Sequence, residues 1–257
     1  MSLAVTRVGE EPISYVFLHG LLGQGKNWST IAKALLPSGS LLVDLPDHGR
    51  SPWSEDVSYE SMAEAVIDLL REVASPTPVT LVGHSMGGKV AMLVALAQPE
   101  LVGRLAVVDI SPAERNAMEF VRYLDAMLAM DLSRVGTRAD ADAQLVAAAP
   151  DPVVRGFLLQ GLQRTATGWA WQPNLRGLRR GLPRIGGWPE VSGTYDGPVL
   201  WLGGERSDYV TRDQLSAMRA LFPRVRLVMV KGAGHWLHAD QPAVVAESIR
   251  HWVTATG

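Results

Sequence analysis

The chain reads as an α/β protein, a mostly parallel sheet with helices on both faces and an inserted helical cap. Three observations predict this. Short apolar runs alternate with helix-periodic stretches toward both ends of the chain, and such alternation demands crossover connections in a parallel sheet. The middle region, 112–196, carries helical patterns and no convincing strand, and a region of that length is too long for a loop in a compact domain. The stretch Val79–Ala97 reads as strand, tight turn and helix around Gly83-His84-Ser85-Met86-Gly87, the pattern of a serine lifted on a strained turn above the end of a sheet. The expected division is a core of 1–111 and 197–257 and a cap of 112–196.

Taken in order, Ile13–Leu18 is a short β-rich run that ends in His19-Gly20-Leu21-Leu22-Gly23. Trp28, Ile31, Ala32 and Leu35 then recur at helical spacing between Asn27 and Leu36. Leu41-Leu42-Val43 reads as a buried strand, followed by the turn-rich loop Asp44–Pro52. Ser58 is placed to cap the next helix, in which Met62, Ala65, Val66, Leu69, Leu70 and Val73 recur until Pro76 and Pro78 stop it. The strand Val79–Val82 and its helix run to Gln98-Pro99, and Leu105–Val108 is one more strand, ending on Asp109. Helical patterns follow at Met118–Met130, Asp140–Ala149 and Pro152–Gln163, after which the region turns rich in glycine, arginine and tryptophan. Alternation resumes with Pro198–Leu202, a helix over Arg212–Leu221, the last strand Arg226–Val230 and a terminal helix over Pro242–Val253.

Composition removes several functional classes. With 24 basic and 26 acidic residues the formal charge is −2, which argues against nucleic acid or a polybasic membrane contact. There is no cysteine, so disulfides, thiol catalysis and cysteine-ligated metal are excluded. No run approaches 18 apolar residues and the first residues lack a basic, then apolar leader, so a cytoplasmic protein without membrane insertion is expected. No cofactor, metal site or obligate protein partner is expected; the partner is a small-molecule substrate.

A serine hydroxyl becomes a nucleophile when a base takes its proton, and an acid must hold that base in the right tautomer. Of six histidines, His235 follows the last strand within Gly232-Ala233-Gly234-His235, at the end of the sheet where Ser85 is expected; His238 is the alternative on the same loop. The other four read as packing or surface imidazoles, with His19 and His84 tying neighbouring loops to the sheet end. For the acid, Asp109 and Asp208 both follow strands and both satisfy the order serine, acid, histidine, and the residues alone leave the choice open. The oxyanion needs two backbone donors: the N–H of Met86, first in the helix, and one from the His19–Gly23 loop, Leu21 or else Leu22. Trp171, Tyr209, Trp236 and Leu22 are candidate pocket residues. Arg176, Arg179, Arg180 and Arg184 form a basic cluster that reads as a solvated helix face, with a hold on a carboxylate or phosphate as the sharper alternative.

With His19-Gly20, Asp44–Ser51, Gly83–Gly88, and Gly234-His235-Trp236 with Gln241-Pro242 assembled, the whole chain resembles the α/β-hydrolase superfamily. Asp109–Pro112, Trp171 with Asn174-Leu175, and Gly203-Gly204 with Ser207 and Tyr209-Val210 make it similar to the small esterase and thioesterase branch. The resemblance implies an α/β-hydrolase fold and a carboxylic ester hydrolase that cleaves small to medium acyl esters or thioesters through an acyl-enzyme. It implies Asp109 as the acid, because the position that carries the aspartate in most of the superfamily is Ser207 here. It excludes dehalogenase and epoxide-hydrolase relatives, which need aspartate in place of Ser85. Acyl transfer to an alcohol and carbon–carbon hydrolysis or lyase chemistry use similar sites and stay open. A non-enzymatic ligand receptor is the reading from another class.

Overall fold

The computed structural model describes residues 2–73, 77–114 and 117–256. Its sheet is built from β1 (Val5–Val8), β2 (Ile13–Leu18), β3 (Gly39–Val43), β4 (Val79–His84), β5 (Val102–Val108), and two later strands described below. Between these strands lie α1 (Ser29–Ala34), α2 (Tyr59–Val73) and α3 (Met86–Ala97). Next come α4 (Met118–Ala129), α5 (Arg138–Leu145), α6 (Pro152–Leu158), the hairpin of β6 (Leu162–Thr165) and β7 (Gly168–Trp171), and α7 (Leu175–Gly186). The chain then rejoins the sheet with β8 (Val199–Gly204), α8 (Leu215–Leu221) and β9 (Val225–Val230), and closes with α9 (Leu237–Asp240) and α10 (Pro242–Ala255).

The seven strands lie in the order β1-β3-β2-β4-β5-β8-β9, parallel except for β1, which pairs antiparallel with β3 at the edge. This is the architecture of an α/β-hydrolase fold. Strand side chains alternate between two apolar layers. Val16, Leu18, Leu41, Leu81 and Val107 pack with Met62, Val66 and Val90 of α2 and α3, whereas Phe17, Leu42, Val82 and Leu202 pack with Ile31 of α1 and Ile249 and Trp252 of α10. Burial of each large side chain contributes about 1.5–3 kcal/mol, and strands covered on both faces explain why their sequences read as continuous apolar runs. Among the described residues no helix is long and apolar enough to cross a membrane.

Several elements depart from expectation. β1 is too short, and its Thr6 and Arg7 too exposed, to stand out as a strand. The expectation of no strand between 112 and 196 is corrected by the β6–β7 hairpin, which the Pro152–Gln163 helical pattern overran. α7 is the helix that the Arg176–Arg184 cluster implied, and it forms although it contains Gly177, Gly181 and Pro183. Asn174 caps it, its Oδ1 accepting from Gly177 N at 3.0 Å, while its Nδ2 donates to Asp47 at 2.7 Å. Leu178, Leu182 and Ile185 are buried beneath it. The end of α2 was assigned partly to Pro76, which lies outside the described residues.

The order of the strands places a site. The chain runs from β3 back across to β4, so the crevice between the ends of β2 and β4 is a topological switch, where open α/β sheets bind ligands. Ser85 and the His19–Gly23 loop both emerge there.

Candidate active site

Ser85 sits between β4 and α3 with φ 52° and ψ −120°, a conformation that costs a residue about 1–3 kcal/mol. The cost is met by its backbone: Ser85 N donates to Val108 O at 2.9 Å, and Ser85 O accepts from Gly88 N at 2.8 Å and Lys89 N at 3.1 Å. Glycine is required on either side for space. A Cβ on Gly83 would lie 2.2 Å from Gly87 O, and one on Gly87 2.5 Å from His19 O. The turn therefore brings β2, β4 and α3 within backbone contact.

His235 Nδ1–H donates to Asp109 Oδ2 at 2.8 Å, and Ser85 Oγ–H donates to His235 Nε2 at 3.1 Å. Asp109 is fully buried and also accepts from Gly204 N at 2.8 Å and from Ser207 Oγ. Asp208 is exposed on the next turn. The Tyr209 ring stacks on His235 with centroids 3.7 Å apart. Ser207 and Tyr209 as supports of the acid and the imidazole escaped the sequence reading, although the Gly203–Val210 stretch had already stood out.

His19 and His84 act as ties. His19 Nδ1–H donates to Gly20 O at 2.8 Å and its Nε2 accepts from Leu45 N at 3.0 Å. His84 Nε2–H donates to His235 O at 2.8 Å, fastening the His235 loop to the turn at Ser85. His238, the alternative base, packs between the rings of Trp28 and His84. Burial, with His235 adding to it, pushes its pKa down to about 4. Burial likewise holds His19, His48 and His84 below the ordinary imidazole range. His238 protonates near 4 in the fold and near 6.5 once unfolded, so between those values the unfolded chain binds more protons, and the other three act in the same direction. Stability is therefore complete above about pH 6.5 and lost as pH falls. By pH 5 His238 alone costs about 2 kcal/mol. Urea midpoints at pH 7.5 and pH 5 should show that loss, and His238→Gln should shrink it; equal slopes for both proteins would refute the assignment.

The two candidate donors in the first loop are not equivalent. Leu22, with φ 62°, already donates its N–H to His48 Nε2 at 3.1 Å. Leu21 and Met86 both line the space beside Ser85, and the first N–H groups of a helix have no partner within it.

That space is a small apolar pocket walled by Tyr59, Ile110, Phe120, Leu182, Ile185 and Tyr209. A second, narrower arm runs from Ser85 past Phe157 and Trp236 toward an open groove that shares Asn27, Phe157 and Trp236 with it. Of the expected pocket residues, Tyr209 and Trp236 line these arms. Leu22 is buried and Trp171 stands on the β6–β7 hairpin; neither lines these two arms. The arginines of α7 face outward: Arg179 pairs with Asp125 at 2.6 Å and Arg184 with Asp56. Among the described residues no cluster of histidines and carboxylates could hold a metal ion.

The chain is 40% identical over 242 residues to the sn-1-specific diacylglycerol lipase ABHD11 of Danio rerio, covering 91% of this chain and 76% of that protein. It is 30% identical over 239 residues to Esterase YbfF of Escherichia coli, covering 93% and 92%. The solved structure of a marine microorganism esterase superposes with a TM-score of 0.94 at 33% identity over 98% of this chain and 99% of that one. The sequence model of the alpha/beta hydrolase family matches residues 15–248, and by this match, the fold and these relatives the chain belongs to that family.

Proposed function

We propose that the protein is a serine hydrolase of carboxylic esters, acting on small to medium acyl esters or thioesters through an acyl-enzyme. The hydrogen-bonded line Ser85–His235–Asp109, drawn from the ends of β4, β9 and β5, carries this reading. Ser85 Oγ attacks the carbonyl carbon while His235 Nε2 takes its proton. His235 returns that proton to the departing alkoxide or thiolate, and a water then releases the acid by the same route. Asp109 fixes the Nδ1–H tautomer and stabilises the imidazolium. The N–H groups of Met86 and Leu21 hold the oxyanion. Residues 112–196 serve as a cap over a core of 1–111 and 197–257, with the apolar arm taking the acyl chain. The family's esterases and lipase support the choice of an ester bond.

A fluorophosphonate probe tests the reading without any substitution. One equivalent should attach to Ser85, as read by peptide mapping, and turnover of a p-nitrophenyl acyl ester should cease in proportion. Label on another residue, or none at all, would remove Ser85 from the mechanism.

A further inference from the structure

We propose that Lys89 is a positioning residue which fastens both connections of the cap to the helix bearing Ser85, and thereby sets the dimensions of the acyl pocket. The inference rests on the hydrolase reading above. Lys89 follows Ser85 by four residues, one turn along α3, and is only 1% exposed. Its Nζ donates to Ala113 O at 2.8 Å and to Gly187 O at 2.5 Å, and lies 5.4 Å from the centroid of the Tyr59 ring.

The two acceptors occupy particular places in the chain. Ala113 lies in the connection that leaves β5, before α4 begins. Gly187 is the first residue after α7, where the chain turns back toward β8. A single ammonium thus joins the way into the inserted segment, the way out of it and the nucleophile's helix. Burying a cation is costly unless its protons are satisfied, and hydrogen bonds from a charged donor are about twice as strong as neutral ones. The arrangement therefore tolerates little movement of either connection. Phe120 on α4 and Leu182 and Ile185 on α7 face Ser85 across the pocket, so the position of the connections fixes the walls. Tyr59 adds a second tie on the exit side, its hydroxyl donating to Ile185 O at 2.6 Å.

Lys89→Met keeps the reach of the side chain and removes the ammonium. With p-nitrophenyl butyrate its KM should rise about tenfold while kcat changes by less than about threefold, the pattern of lost ground-state positioning. Preference should shift toward longer acyl chains, and amide exchange in the two connections should accelerate. A folded variant with unchanged KM, chain-length profile and exchange overturns the proposal. Should Lys89→Met not fold, Lys89→Cys supplies the alternative, because the chain has no other cysteine. Alkylating it in the unfolded state with bromoethylamine and refolding restores an ammonium at nearly the original reach, and iodoethane provides an uncharged counterpart. The aminoethyl adduct should recover the wild-type KM and profile and the ethyl adduct should not; identical behaviour of the two overturns the proposal. Fluorophosphonate labelling of the wild-type protein keeps the two readings apart. Absence of label on Ser85 would defeat the hydrolase reading, while amide exchange would still report on Lys89.

Discussion

Ser85→Ala should lower kcat for acyl esters by about 10⁵–10⁶-fold, the scale seen when a catalytic serine is removed. The fold should survive. The strained backbone at residue 85 is held by hydrogen bonds from and to its own main chain, and alanine makes the same ones. The Oγ lost by the substitution is the atom facing His235 Nε2, so what disappears is the acceptor of the acyl group. Thermal unfolding within a few degrees of wild type, together with turnover at the background rate, is the expected pair of measurements. Retention of more than a hundredth of the activity in the variant would mean that the acyl group is carried elsewhere.

Asp109→Asn should cost about 10⁴ in kcat, while Asp208→Asn should remain within about threefold of wild type. The reason lies in the donors around residue 109. Gly204 N–H, Ser207 O–H and His235 Nδ1–H all point at its carboxylate, which accepts all three. An amide has one accepting oxygen and one donating nitrogen. If its oxygen takes Gly204 N–H, the NH₂ group faces His235 Nδ1, and the imidazole must shift its proton to Nε2. Ser85 then has no base to receive its proton. Steady-state rates from pH 5 to 9 check this, since a change of tautomer depresses the rate across the whole range. The opposite ranking of the two variants would hand the orienting role to Asp208.

Most of the fold was legible because its core strands are buried on both faces and its outer helices are amphipathic. Val79–His84 and Val199–Gly204 show the first property, and Met62, Val66 and Leu70 in α2 the second. The inserted segment was harder to read for a physical reason. The glycines of α7 lower helix propensity, yet close packing demands them: a Cβ on Gly181 would lie 2.5 Å from Val57 Cβ. Tertiary contact selects residues there that local preference reads as loop. The site divided along the same line. Ser85 and His235 sit in glycine-marked turns that a sequence can display, whereas Asp109 and Asp208 follow adjacent strands in the same order, and what separates them is that the first is buried at the sheet end and the second exposed on the next turn. The single lysine within the apolar helix Met86–Ala97 was visible too, but its acceptors are main-chain carbonyls, which leave no mark on the sequence.

Ser207 occupies the position where the superfamily resemblance places the acid in most members, and here its hydroxyl donates to Asp109. β5 and β8 are adjacent parallel strands, with Asp109 N bonded to Leu202 O at 2.8 Å. Their two ends therefore open onto one point beside the imidazole. A carboxylate borne by either strand end would therefore meet the same imidazole.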